Sequence, residues 1–198
     1  MAEKRNERND KLREERREQI LEAALEVFAR KGFVGTKASD ISKYSGLSHG
    51  LTYHYFESKD EIFTELVERA LKSAAAVIDY ALLQPGTSAD QLTWLTGIIL
   101  SHTGGSSSYP FLLMVQAFTM ESIPPKAKEL VAEYEGLPRI RMAELVRKGQ
   151  EEGSFREGDP EQLAYVYLSA IQGLSFSSFA AGRSFPVDPA HVNQLLLN

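Results

Sequence analysis

The chain has 198 residues, 43% of them hydrophobic and 25% charged, with no cysteine; this suits a globular fold with a packed core and excludes a disulfide framework, a thiolate zinc site and a cysteine nucleophile. Net charge is −5, yet residues 1–63 hold 12 Lys+Arg against 12 Asp+Glu, so the whole deficit lies in the remainder, with 10 against 15; a neutral N-terminal third with basic clusters can meet a polyanion that an acidic remainder avoids. No run reaches the roughly 18 apolar residues of a membrane span, and the start, MAEKRNERNDKLREERREQ, lacks the apolar segment of a signal peptide, so a soluble, cytoplasmic protein is expected.

Nearly every segment shows helical spacing, which predicts an all-α chain. A charged arm over residues 1–12, with Lys4, Arg5, Arg8 and Lys11, is either a solvated helix start or a phosphate-contacting arm. The first helix is expected from about Arg13 to Arg30, with Ile20, Ala24 and Phe28 stacked at i, i+4, i+8 and Gly32 as its stop. Thr36 reads as the cap of a second helix ended by Gly46, and Ser48 as the cap of a third that ends near Tyr55. Ser58 caps a fourth, long helix reaching about Leu83, whose Ile62, Leu66, Val67, Ala70, Leu71 and Val77 form an apolar stripe.

Beyond the break QPGTSAD a fifth helix is expected to start after Ser88 and to stop at the Gly/Ser loop SHTGGSSS. The sixth, YPFLLMVQAFTME, is apolar nearly all round, hence buried. A seventh runs from about Lys126 to Glu152, with a kink or break expected at Gly136 and Pro138. Asp159 and Pro160 open an eighth that reaches about Ala181, and Asp188 with Pro189 repeats that cap for a ninth.

The stretch SHGLTYHY, Ser48 to Tyr55, is poor material for a core. On a helix His49 and Tyr53 share one ridge and Gly50 and His54 the next, so a single face offers two imidazoles, a phenol and a bare backbone position, with Lys59 beside it. Such groups bond phosphates and base edges, and a short helix preceded by a capped helix and a glycine turn is the helix-turn-helix plan. His49 and His54 are five apart, not the i, i+4 pair of a zinc site. Neither HExxH, GxSxG, a P-loop nor GxGxxG occurs; no metal, no cofactor and no catalytic activity are expected.

Residues 32–63, GFVGTKASDISKYSGLSHGLTYHYFESKDEIF, resemble the DNA-binding motif of the tetracycline-repressor (TetR) family of bacterial transcription regulators. Thr36, Asp40, Ile41, Gly46, Leu47, Ser48, Gly50, Tyr53, Tyr55, Phe56, Ser58, Lys59 and Ile62 match its pattern. The resemblance implies a three-helix DNA-binding domain at 1–57, a linker helix 4, and a C-terminal helical effector-binding and dimerisation domain at 58–198, about nine helices in all. By position it implies DNA contacts from Thr36, Lys37, Ser48, His49, Gly50, Leu51, Tyr53, His54, Tyr55 and Lys59, and inward roles for Leu47, Thr52 and Phe56. Periodicity alone turns the Leu47, Leu51, Tyr55 row inward; the resemblance turns Leu51 outward, and that is the reading adopted. This sequence departs from the pattern in placing Lys37 where a second hydroxyl is usual, Ser42 and Ser45 where alanines are usual, and Thr52 where an apolar residue is usual.

In the later helices Trp94, His102, Tyr109, Met114, Gln116, Ala117, Phe118, Met120, Arg139, Met142, Tyr167 and Gln172 can line a cavity or fill a core. The resemblance implies an effector pocket there. Arg139 and His102 suit an anionic ligand, the aromatics and methionines a flat or lipid-like one. The eighth helix is apolar or small almost all round, with Gly173, Ser177 and Ala181 at i, i+4, i+8; with Leu163, Ala170 and Leu174, and with Val192, Leu195 and Leu196 of the last helix, it is expected to form the seam of a homodimer. The combined expectation is a ligand-responsive DNA-binding regulator, a repressor released from a palindromic operator by a small-molecule effector. An all-α small-molecule-binding protein or enzyme without DNA function is the alternative.

Overall fold

The computed structural model describes residues 2–182 and 187–198, and for residues 2–9 the backbone alone. Among the described residues there are ten α-helices, one 3-10 turn and an isolated bridge between Phe155 and Leu197. The all-α expectation holds. The residues gather into two compact units, Met1–Arg69 with Leu112–Val131, and Ala70–Phe111 with Ala132–Asn198.

In the first unit, α1 (Ala2–Gly35) begins well before Arg13, because the charged residues ahead of it are mostly straight-chain helix formers with no glycine or proline among them. Helical geometry fails at Gly32, φ 73° and ψ 164°, where the expected stop falls; one more turn follows to Gly35. Thr36 does not cap α2 (Ala38–Ser45). The cap is Lys37, whose N–H donates to Asp40 Oδ2 at 3.0 Å. Thr36 is 1% exposed and its Oγ1 donates to Gly32 O at 2.7 Å, satisfying a carbonyl that the break at Gly32 had freed. Gly46 ends α2 in the left-handed conformation. Ser48 caps α3 (His49–Tyr55), its Oγ accepting from Leu51 N at 3.2 Å, and Ser58 does the same for Glu61 N at the start of α4 (Lys59–Leu82).

The core of this unit is built on Ile20, Leu21, Ala24, Phe28, Ile41, Phe63 and Val67, all buried. Phe28 meets the Phe63 ring edge-on at 5.2 Å and Phe33 lies 4.7 Å from it, spacings at which aromatic pairs attract beyond their buried area. Outside this cluster an ionic ladder joins α1 to α4: Arg17 grips Glu65, and Arg69 binds Glu18 at 2.7 Å and Glu65 at 2.8 Å. The hydrogen bond from Arg69 holds the Glu18 carboxyl below its ordinary value.

In the second unit Thr87, not Ser88, caps α5 (Ser88–Ser101): its Oγ1 and the Asp90 carboxylate close a capping box. Ser88 is instead the first helical residue, fully buried, its N–H held by Glu152 Oε2 at 2.8 Å. A 3-10 turn, Gly105–Ser108, leads to α6 (Tyr109–Thr119), which from Leu112 onward is counted with the first unit; its Phe118 is exposed, so that helix is not buried all round. The expected long seventh helix is two, α7 (Pro125–Tyr134), counted up to Val131 with the first unit, and α8 (Leu137–Glu151) of the second, parted at Glu135–Gly136 where a break was foreseen. The Asp-Pro caps hold: Asp159 Oδ1 accepts from Glu161 and Gln162 N–H at the head of α9 (Pro160–Ala180), and Asp188 Oδ1 from Ala190 N–H at the head of α10 (Pro189–Asn193). Residues 183–186 lie outside the described residues.

Ile78, Leu92, Leu95, Met142, Leu145, Val146, Phe155, Tyr167, Ile171, Val192 and Leu196 make the core of this unit. Phe155 packs so tightly on Gly149 that a Cβ there would lie 2.5 Å from the ring. One polar chain crosses the apolar interior. Tyr167 Oη lies 2.7 Å from Thr96 Oγ1, which donates to Asn193 Oδ1 at 2.5 Å; the Asn193 amide donates in turn to Thr93 Oγ1 at 3.2 Å. Every member is satisfied, the condition for a buried network to be tolerable, and burial pushes the Tyr167 phenol up to about 12.

Candidate nucleic-acid interface

The recognition segment is short because its ends are fixed by chemistry, not by length. Gly46 turns the chain, Ser48 opens the helix, and Phe56 closes it with its side chain buried. Two hydroxyls fasten α3 to α2: Ser42 Oγ and Thr52 Oγ1 are buried and 3.1 Å apart, and Thr52 Oγ1 also bonds Ser48 O at 3.2 Å. Ser45 joins them, its Oγ donating to Ser42 O at 3.0 Å, while Gln19 of α1 donates to Ser45 O at 2.7 Å. These are the positions where the sequence departs from the family pattern. A small polar seam replaces apolar contact between the two helices.

With Thr52 and Phe56 inward, the opposite side of α3 faces solvent. His49, Gly50, Leu51, Tyr53 and His54 are all exposed, Ser48 is exposed at the cap, and Tyr55 is half-buried at the edge. Leu51, at 37% exposure, lies outside as the resemblance implied, against the periodicity reading. The His49 and Tyr53 rings stack with centroids 4.6 Å apart, confirming that they share a ridge, and His54 meets Tyr55 edge-on at 5.5 Å. A Cβ placed on Gly50 would meet nothing within 4 Å, so the fold itself does not demand glycine there. Lys37 is exposed at the head of α2.

Two residues expected on this face are placed differently. Thr36 is sealed inside, as described above. Lys59 turns inward: its Nζ donates to Phe33 O at 3.0 Å and Thr36 O at 2.9 Å and lies 4.5 Å from the Phe33 ring centroid. The carbonyls left open where α1 ends draw the ammonium in, as the negative end of a helix does. Sequence alone missed this because nothing in Lys59's own neighbourhood marks a partner 26 residues upstream. In the arm Lys11 is exposed, and the side chains of Lys4, Arg5 and Arg8 lie outside the described residues; just beyond it Arg13 and Arg16 are exposed and Arg17 belongs to the ionic ladder.

The twelve effector candidates are shared between the two compact units. Met114, Gln116, Ala117, Phe118 and Met120 fall in the first compact unit; Trp94, His102, Tyr109, Arg139, Met142, Tyr167 and Gln172 in the second. Within the second, Met142 and Tyr167 are fully buried core, His102 and Gln172 are exposed, and Arg139 is ion-paired with Glu161. Gln116 is engaged with the main chain of α1. Of the dimer candidates, Val192 and Leu196 are buried in their own subunit's core, drawn there by the Asn193 anchor between them, and Leu163, Ala170, Leu174 and Leu195 are half-buried. Gly173, Ser177 and Ala181 are exposed along one side of α9, together with Tyr165, Val166 and Phe176, which sequence reasoning had not singled out; all three are at least half exposed. Among the described residues no helix is long and apolar enough to cross a membrane.

The model of the bacterial regulatory proteins of the tetR family matches residues 20–66, the span that holds α2, α3 and their supports. The chain is 29% identical to the uncharacterised HTH-type transcriptional regulator YfiR of Bacillus subtilis, over 82% of this chain and 79% of that one. It is 24% identical to the HTH-type transcriptional repressor KstR2 of Mycobacterium tuberculosis, over 84% and 82%. A regulator from Saccharomonospora viridis, solved in complex with choline, superposes with a TM-score of 0.76 at 26% identity, covering 93% of this chain and 99% of that one. An exposed, capped recognition helix seated on a turn of this pattern, within helices that match these regulators nearly end to end, makes the chain a DNA-binding transcriptional regulator of the TetR family.

Proposed function

We propose that the exposed side of α3 enters the major groove of an operator, with His49, Tyr53 and His54 offering donors and acceptors to base edges and Leu51 an apolar contact for a thymine methyl. The observation that carries this reading is the open Gly50 position beside the stacked His49 and Tyr53 rings. A surface glycine within a helix weakens it, and here it leaves room for a backbone to approach. Ser48 and Lys37 flank the face as phosphate contacts. Lys59 is not one of them; it holds the α1 terminus from within.

The protein acts in the cytoplasm as a homodimer and by binding alone, without catalysis. The exposed side of α9 supports the homodimer: Val166, Gly173, Phe176 and Ser177 form a surface of large and small residues that one subunit leaves uncovered, and two-fold pairing would set two α3 helices on a pseudo-palindrome. Kinship to a protein named a repressor, and to one solved with a small molecule, supports an effector-released repressor. Because α4 is unbroken from Lys59 to Leu82, a ligand that displaces it would move the recognition helix without touching DNA; a 100-fold release needs about 2.7 kcal/mol of differential affinity.

The test begins with a duplex that the wild-type protein selects from a random-sequence pool. His49→Ala and Tyr53→Ala are each expected to cost about 1–3 kcal/mol at particular base pairs, whereas Lys59→Met leaves the salt dependence of binding unchanged. A Cβ at Gly173 meets nothing within 4 Å of its own chain, so for Gly173→Arg sedimentation should show folded monomers that no longer shift the duplex. Wild-type affinity in the His49 and Tyr53 variants would remove α3 from the interface, and a dimeric Gly173 variant would remove α9 from the seam.

A further inference from the structure

The break that ends α1 is held by a residue from far along the chain. Gln116 of α6 presents its amide edge-on to the main chain of α1: Nε2 donates to Phe28 O at 2.9 Å, and Oε1 accepts from Phe33 N–H at 3.1 Å. The two bonds bracket Gly32, the point where α1 loses helical geometry, and satisfy one acceptor and one donor that a helix end leaves without intrahelical partners. On the other side of the same short segment, Lys59 takes Phe33 O and Thr36 O, and Thr36 Oγ1 takes Gly32 O. Residues 32–36 are thereby fixed from α6, from α4 and from within. Directly after them come Lys37 and α2, on which α3 rests through the Ser42–Thr52 hydroxyl pair. Gln116 is half-buried, and its partners are main-chain groups whose places do not depend on side-chain identity.

We infer that Gln116 is a positioning residue for operator binding, the amide through which α6 sets where α2 and α3 begin. The inference rests on the proposed reading of α3 as the DNA-contacting helix. It makes the DNA-binding element larger than the three N-terminal helices: the element is complete only with Gln116, which lies 83 residues beyond Phe33. Gln116 itself touches no DNA.

The test uses the full-length chain and the duplex selected by the wild type. Gln116→Met keeps length and volume while deleting both bonds, and Gln116→Glu keeps the acceptor for Phe33 N–H but puts an oxygen against Phe28 O. Losing bonds that hold a binding-competent geometry is expected to weaken duplex affinity about tenfold, measured where circular dichroism shows each variant fully folded. The salt slope should stay at the wild-type value because no phosphate contact is lost, and hydrogen exchange at the Phe33 amide should accelerate. Faster exchange at Phe33 with unchanged affinity in both variants would overturn the inference and leave Gln116 an ordinary structural tie. So would a lowered salt slope, which would mean direct contact, or failure of both variants to fold. The two failures remain separable: if His49→Ala loses binding while the Gln116 variants do not, only the clamp falls, and if His49→Ala and Tyr53→Ala bind normally, the reading of α3 falls and takes the clamp with it.

Discussion

The two compact units keep their shape by different means. In the first, the α1 terminus, α2, α3 and α4 are tied by directional polar links between elements: Lys59 to Phe33, Gln116 to Phe28 and Arg69 to Glu18 across long stretches of chain, and Ser42 to Thr52 between neighbouring helices. Much of that network is within reach of water, so each link contributes little alone and is adjustable. The second unit relies on a closed apolar interior packed to contact, with one fully satisfied polar chain through it. Polar ties set orientation and packing sets cohesion; a unit that must present a face to DNA relies on the first, and one that carries a subunit's mass on the second.

The comparison fails first if the second unit is not held by packing. Phe155→Ala removes a ring that is 2% exposed and leaves a cavity against Gly149, and is expected to cost about 3–5 kcal/mol; chemical denaturation that shows a loss near 1 kcal/mol would mean the core is looser than drawn. The polar chain comes next. Tyr167→Phe deletes one hydroxyl while Thr96 keeps its donation to Asn193 Oδ1, so a loss of about 1–2 kcal/mol is expected. Its pH dependence has a definite sign. The folded phenol titrates near 12, above its unfolded value, so its stabilising effect is complete below about pH 10 and is lost as pH rises toward 12. Wild-type stability should therefore fall more steeply than that of the Tyr167→Phe variant over this range.

The smallest effect sharpens the contrast from the other side. Arg69→Met breaks the links to Glu18 and Glu65, which are partly exposed, and should cost under about 1 kcal/mol, shrinking further in high salt. Because Glu18 is held below its ordinary value by Arg69, its share is present above the usual carboxylate range and disappears as pH falls through the depressed value. Thermal melts at neutral and acid pH, at two salt concentrations, read both features.

What the sequence made legible follows from how local each signal is. The caps at Ser48, Ser58, Asp159 and Asp188 were readable because donor and acceptor lie within three residues of each other. So was the exposed side of α3, since seven consecutive residues carry it. Thr36 was misassigned as a cap, and the start of the fifth helix was set after Ser88, each off by one residue, a shift decided by which neighbouring groups the tertiary structure had already claimed. Lys59 and Gln116 could not be read at all, because their partners are main-chain atoms far away and any sequence would offer those atoms. Tyr167 and Met142 look alike on paper whether they line a hollow or fill one; only packing separates the two.

Gly50 carries a cost the free protein could shed. Nothing in its surroundings resists a methyl group, and alanine in a helix is worth up to about 1 kcal/mol over glycine. A selection for thermal robustness alone would therefore replace it early, and each such gain would bring a carbon atom to the surface that, in the proposed reading of α3, lies against DNA. The residue marks where tolerance of the fold and demand of the task part company, so a library ranked on melting temperature would rise in score at this position while operator occupancy falls.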